Sequence, residues 1–237
     1  MPTLHAVAQK ARIAPWIGPT SARAITAIFA TLATSIRPES DLHFASTFEL
    51  LVAVVLSAQA TDASVNKATP ALFAVAPTPQ TMFELGAAGI LPYIRTIGLA
   101  PTKAKNLATL CHLLIERHDG QVPDTREALE ALPGVGRKTA SVVLNVAFGQ
   151  PTIAVDTHVH RVANRLGIAI TTTPEQTEQV LLTRTPKAHL LQAHHYLILH
   201  GRYTCTARMP HCTSCPLAQW CPRRGVPSAT QARPNNS

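Results

Sequence analysis

Apolar residues recur at helical spacing along most of the chain and never alternate for long enough to specify a strand, which predicts an all-α protein. The stripe Leu107, Leu110, Cys111, Leu114 and Ile115 shows the pattern, since residues three and four apart share one face of a helix. The same periodicity predicts helices over 48–58, 63–74, 103–117, 126–131, 137–148, 157–166, 174–183 and 188–200. Punctuation sets several ends. Gly120 and Gly167 each follow a helix, and Thr173-Pro174-Glu175 supplies a cap, a first-turn proline and a first-turn acid. Asp124-Thr125-Arg126-Glu127 predicts a capping box opening a short helix. The longest apolar run, 50–56, has seven residues and is too short to cross a bilayer.

Between the helices predicted at 126–131 and 137–148 lies Leu132-Pro133-Gly134-Val135-Gly136-Arg137-Lys138, two glycines around one valine. Such a hairpin leaves backbone amides open at a helix N-terminus, where unpaired N–H groups and the helix dipole favour an anion. Leu132, Gly134, Val135, Gly136 and Arg137 are therefore the expected contact with a phosphate backbone. Lys138 stands about 100° further round the helix than Arg137 and points elsewhere. Asp156 follows eighteen residues after Lys138 and precedes the helix at 157–166. On residue chemistry alone, Lys138 is either a reactive amine or one more phosphate contact, and Asp156 either a functional carboxylate or an ordinary N-cap.

Charge sharpens the choice of partner. Residues 1–132 hold ten Lys or Arg against ten Asp or Glu, whereas residues 133–237 hold eleven against three, so the whole net charge of +8 follows the hairpin. A basic half that begins at an anion-binding hairpin favours nucleic acid over a general solubility role. Cys205, Cys212, Cys215 and Cys221 form C-x6-C-x2-C-x5-C, four thiols within seventeen residues, which suits one metal site better than two disulfides. Zinc usually takes paired C-x2-C knuckles, and only Cys212 and Cys215 are so paired; an iron–sulfur cluster also takes four thiolates. Cys111 falls on an apolar stripe and reads as a core thiol. Reduced cysteines, with Lys10 and Arg12 interrupting any apolar core in the first twenty residues, predict a cytoplasmic protein without a signal peptide.

These motifs together resemble the endonuclease III family of DNA glycosylases. The resemblance runs over about 19–221 and includes the hairpin, Val155-Asp156-Thr157-His158, Leu56-Ser57-Ala58-Gln59-Ala60-Thr61-Asp62, Thr96-Ile97-Gly98-Leu99, the stretch from Leu197 to Cys205, and the cysteine spacing. It implies two helical lobes around a catalytic cleft: a six-helix lobe at 40–150 containing the helix-hairpin-helix at 124–148, and a second lobe made of 19–39 with 151–224. It also implies a [4Fe–4S] cluster in the loop 205–221, a disordered extension at 1–18 and a flexible tail at 225–237. The implied activity is a bifunctional glycosylase and AP lyase that removes oxidised pyrimidines, with Lys138 as the nucleophile and Asp156 as the assisting carboxylate. Gln59 would fill the gap left by the flipped nucleotide and Leu99 would wedge the stack. The implied partner is duplex DNA carrying oxidised pyrimidines or abasic sites, bound by a monomer in the bacterial nucleoid. One departure is the loop 206–211, where Arg208 is the only fixed cation and where Met209 and His211 stand at positions often cationic in the family. The alternatives are a uracil or thymine mismatch glycosylase and a non-enzymatic DNA-binding module.

Overall fold

The computed structural model describes residues 20–37 and 41–226; the extension expected at 1–18 and all but the first two residues of the tail lie outside the described residues. Among the described residues, ten α-helices and one short 3-10 turn account for the regular structure and no strand forms. The helices are α1 (Ala22–Ser35), α2 (Thr47–Ser57), α3 (Asp62–Val75), α4 (Pro79–Ile94) and α5 (Ala100–His118). They continue with α6 (Arg126–Glu130), α7 (Arg137–Phe148), α8 (Thr157–Arg165), α9 (Pro174–Arg184) and, after the 3-10 turn Lys187–His189, α10 (Ala193–Tyr203).

Two apolar cores organise these elements. The first is built on α2, in which eight of eleven residues are buried, as expected for a helix that is apolar all round. Helices α3, α4, α5 and α7 close over it, contributing among others Leu72, Ile90, Leu107 and Val143. The second core brings α1, through Ile25, Ile28, Phe29 and Leu32, against Val159 and Val162 of α8, Leu181 of α9 and Leu197 of α10. The chain thus visits the second core, leaves it for the first, and returns. Cys111 is buried in the first core, and burial pushes its thiol up to about 12, as fits an inert core cysteine.

Several expectations need correction. Helices α1 and α4 were not predicted by periodicity. In α1 the spacing of Ile25, Ile28, Phe29 and Leu32 is helical but is diluted by interspersed Ala and Thr. In α4 the register breaks at Gly86, whose φ of 65° and ψ of 172° kink the helix. The helix expected at 188–200 is instead the 3-10 turn followed by α10, which begins at Ala193 and runs on to Tyr203. The capping box expected at 124–127 does not form: Thr125 is the N-cap of α6 and makes no side-chain cap bond. By contrast, Thr173 caps α9 by accepting from the Gln176 amide, with Pro174 in the first turn, as predicted.

Candidate active site

The hairpin between α6 and α7 rests on the first core. Leu132 and Val135 bury their side chains there, and the Val135 amide donates to the Leu132 carbonyl at 3.1 Å, closing the turn. These two residues shape the hairpin from beneath, so only their backbone faces outward. The two glycines differ. Gly134 has φ +82°, and a Cβ on it would lie 3.3 Å from both Asn106 Nδ2 and Val55 Cγ1. Gly136, the N-cap of α7, has an ordinary extended backbone at φ −98° and ψ 177°, and a Cβ there would meet nothing within 4 Å. Gly134 is thus required by the fold, and Gly136 leaves open space over the first-turn amides of α7. With no side chain capping α7, those amides remain available to an external acceptor.

Gln59 and Leu99 occupy two adjoining turns, with a Cβ built on Gly98 lying 3.8 Å from the Gln59 carbonyl oxygen. Both have left-handed backbones, φ 57° and 61°, a conformation that costs a non-glycine residue free energy and clusters at functional sites. Leu99 is 59% exposed and is no core leucine. Lys103, which sequence analysis missed, pins the pair. Its Nζ, buried beneath them, donates to the carbonyls of Leu56 at 2.8 Å and Ala58 at 2.6 Å, the free carbonyls at the end of α2, while its own amide donates to the Leu99 carbonyl at 3.0 Å. Burial lowers the Lys103 ammonium below the usual lysine range.

Lys138 projects from the first turn of α7 into a cleft of about 70 Å³ lined also by Ser57, Asp62, Val142, His194, His195 and Arg202. Residues of both cores meet here. Asp156 caps α8, its Oδ1 accepting from the amides of His158 at 2.9 Å and Val159 at 2.8 Å, which leaves Oδ2 uncommitted by the cap. It does not line the cleft itself. His194, which lines the cleft with Lys138, has its Nδ1 bonded at 2.7 Å to the carbonyl of Ala154, two residues before Asp156. That bond makes Nδ1 the protonated nitrogen of a neutral ring. Burial first, then the charge of His195, and further down Lys138, push His194 to about 4, against the pull of Asp156 and the Ala154 carbonyl.

Arg137, expected to reach phosphate, makes an ion pair through one of its nitrogens. Its Nε donates to Glu178 Oε2 at 2.6 Å, and this carboxylate raises the guanidinium above the usual arginine range. Glu178 also accepts from Arg126 Nη2 at 3.2 Å. The physical reason is that Glu178 is only 5% exposed and needs positive partners. On the far side of the cleft, Arg202 of α10 pairs with Asp62 at 3.0 Å and Asp41 at 2.9 Å. No periodicity announces these pairs, which join residues 41 to 161 positions apart.

The four cysteines predicted as ligands line one cavity together with His200 and His211. Burial raises Cys215 and lifts Cys221 to about 11, so an anionic thiolate there requires a cationic partner. Among the described residues no three His, Cys, Asp or Glu side chains converge on a point that one metal ion could occupy. Arg165, buried on α8, holds the start of the loop by donating to the carbonyls of Thr206 at 2.6 Å and Ala207 at 2.7 Å, and approaches Cys205 Sγ at 3.5 Å. Arg161, one turn earlier, donates to the carbonyls of Gly201 at 2.8 Å and Cys205 at 3.1 Å. Their i, i+4 spacing was the available signal. Arg208 stands exposed at the loop beside Met209.

Comparison with known proteins accords with this geometry. Residues 52–187 match the HhH-GPD superfamily base excision DNA repair protein model, so the class is that of helix-hairpin-helix repair proteins. Endonuclease III of Escherichia coli (strain K12) is 58% identical over 184 residues, covering 78% of this chain and 87% of the relative. Endonuclease III of Treponema pallidum (strain Nichols) is 54% identical over 205 residues, covering 86% and 97%. A structure of a trapped endonuclease III–DNA covalent intermediate superposes with a TM-score of 0.80 at 44% identity, over 85% of this chain and 95% of the other. A thermostable thymine-DNA glycosylase, at 24% identity and a TM-score of 0.72, shares the fold. The chain belongs to the endonuclease III family.

Proposed function

We propose that this chain is a base excision repair DNA glycosylase and AP lyase that removes oxidised pyrimidines from duplex DNA, with Lys138 as nucleophile and Asp156 as the assisting carboxylate. The observation that carries this reading is that Lys138 lines the cleft from one core, Asp156 caps a helix of the other, and His194 lies within electrostatic reach of both. The lobes at 40–150 and at 19–39 with 151–224 receive the duplex between them. The amides beside Gly134 and Gly136 take a phosphate, Leu99 wedges the stack, Gln59 fills the vacated position, and Arg208 meets the backbone from the cysteine loop.

The lesion is flipped from the duplex, at a cost of a few kcal/mol that is smaller for a poorly paired base. The Lys138 amine, having lost a proton, forms a bond from Nζ to C1′ while the C1′–N bond breaks and its electron pair leaves with the base, which takes a proton from water. Asp156 stabilises the positive charge that develops on the sugar through the oxygen its cap leaves free. Transfer of an Nζ proton to O4′ as the C1′–O4′ bond opens gives the protonated Schiff base. Removal of a C2′ proton then expels the 3′ phosphate, nicking the strand 3′ to the lesion, and hydrolysis frees Lys138. Cys205, Cys212, Cys215 and Cys221 are the thiols for a [4Fe–4S] cluster, which when bound would supply a cross-link that orders the loop. Reduced thiols and work on the chromosome fit a cytoplasmic monomer.

Borohydride added during turnover tests this. It should trap wild-type protein on DNA carrying an abasic site, and Lys138→Gln should lose trapping while keeping most DNA affinity, since one charge accounts for about one unit of salt slope. Trapping of Lys138→Gln at the wild-type rate refutes the lysine assignment.

A further inference from the structure

Glu178 belongs to α9, which packs in the second core through Leu181, yet both of its partners belong to the first. Arg126 is the first residue of α6 and Arg137 the first of α7, so one buried carboxylate grips both arms of the helix-hairpin-helix. Arg126 extends the grip. Its Nη1 donates to Ser141 Oγ at 3.0 Å and reaches the Arg137 carbonyl at 3.4 Å, fixing the turn of α7 that carries Lys138. The Ser141 carbonyl in turn accepts from Thr152 Oγ1 at 2.6 Å, on the segment that runs into Asp156. A continuous hydrogen-bonded frame therefore passes from Glu178 behind Lys138 and on toward Asp156.

Stability alone is a poor reason for this arrangement, because a buried ion pair recovers little more than the desolvation of its charges. Direction is a better one. A carboxylate with two guanidiniums on different helices fixes an angle as well as a distance, and it does so beside a cavity lined by Lys138, Ser141, Val155 and Glu178.

We infer that Glu178 is a positioning residue that sets Lys138 against Asp156 across the cleft, acting through Arg126 and Arg137. The inference rests on the proposed roles of Lys138 and Asp156. DNA affinity is not its main consequence, since Glu178 is an acid in the basic half of the chain and its removal adds positive potential. The effect falls on the chemical step, where a displacement of about 1 Å is worth about a hundredfold.

The test measures single-turnover base release and the Kd for undamaged duplex in Glu178→Gln and Arg126→Lys, with thermal melts to establish the folded fraction. Release should slow by tenfold or more, by about the same factor in either variant and in the double variant, while Kd stays within about threefold or tightens. Glu178→Asp should recover part of the rate. Wild-type release in folded Glu178→Gln overturns the inference, as does a loss of Kd that parallels the loss of rate. Lys138→Gln is run beside them. If it no longer traps while Glu178→Gln releases base normally, the frame is wrong and the lysine reading stands; if it still traps, both fall together.

Discussion

The two hairpin glycines should separate cleanly under alanine substitution, although their positions in the sequence look equivalent. At Gly134 the backbone has φ +82°, where an L side chain costs about 1–2 kcal/mol. The new methyl would also sit 3.3 Å from Val55 and Asn106, closer than comfortable contact. Gly134→Ala should thus lose about 1–3 kcal/mol of unfolding free energy without any DNA present. At Gly136 the backbone is extended and the methyl meets no neighbour, so the folded state is not strained. Lower unfolded-state entropy gains about 0.4–1 kcal/mol and the poorer N-cap loses a comparable amount, leaving stability within about 1 kcal/mol of wild type. DNA is what the methyl would meet. Losing a hydrogen bond to a charged phosphate costs about 1.5–3 kcal/mol, which weakens binding roughly tenfold to a hundredfold for damaged and undamaged duplexes alike. Urea melts and fluorescence anisotropy at fixed salt read the two effects separately. Wild-type affinity in Gly136→Ala refutes the assignment of the hairpin amides to phosphate, and wild-type stability in Gly134→Ala refutes the account of its backbone.

Three further outcomes follow from groups described above. Lys103→Met should destabilise the fold by about 2–5 kcal/mol, because two carbonyls at the end of α2 lose their donor, and should slow excision by loosening the Gln59 and Leu99 turns; chemical denaturation and single-turnover kinetics report these. His194 is held at about 4 against an ordinary 6.5, so the unfolded chain binds the extra proton between those values. Its contribution is complete above pH 6.5 and falls away toward pH 4, by up to about 3 kcal/mol, and denaturation at pH 7 and pH 5 should show a slope that His194→Gln flattens. The isolated protein should carry about four irons per chain with a broad absorbance near roughly 400 nm, and Cys212→Ser should lose iron and solubility together. Elemental analysis finding zinc alone would contradict this.

The sequence made local features legible and long-range pairings invisible. Helix α7 spans the predicted residues because a glycine cap and an apolar face mark it without outside help, and the cap at Thr173 was readable for the same reason. The four thiols were apparent from spacing. Helix α4 was missed since Gly86 breaks its period, and α10 was started early since an irregular stretch at 190–192 has no strong breaker. Arg137 was assigned to phosphate from its place beside the hairpin, and its pairing with Glu178, forty-one residues away, was invisible in the sequence. Lys103 looked like any helical lysine, and only the folded chain brings the end of α2 to it. The scarcity of acids after residue 132 was the one usable hint toward Glu178, as each of the three must have a reason to be there.

Helix α8 has nine residues, with Asp156 capping its first turn and Arg161 and Arg165 gripping the thiol loop from its later turns. It therefore works as a ruler of fixed length. Adding or deleting one residue would shift one end against the other by about 1.5 Å and turn it by about 100°, moving either the carboxylate or both guanidiniums out of place. The stretch 206–211 is held at its start by Arg165 and across its tip by the Thr206 hydroxyl, which donates to the Met209 carbonyl at 2.6 Å, while the side chains of Arg208 and Met209 stay exposed. The helix therefore tolerates no change of length between the carboxylate at its start and the guanidiniums of its later turns.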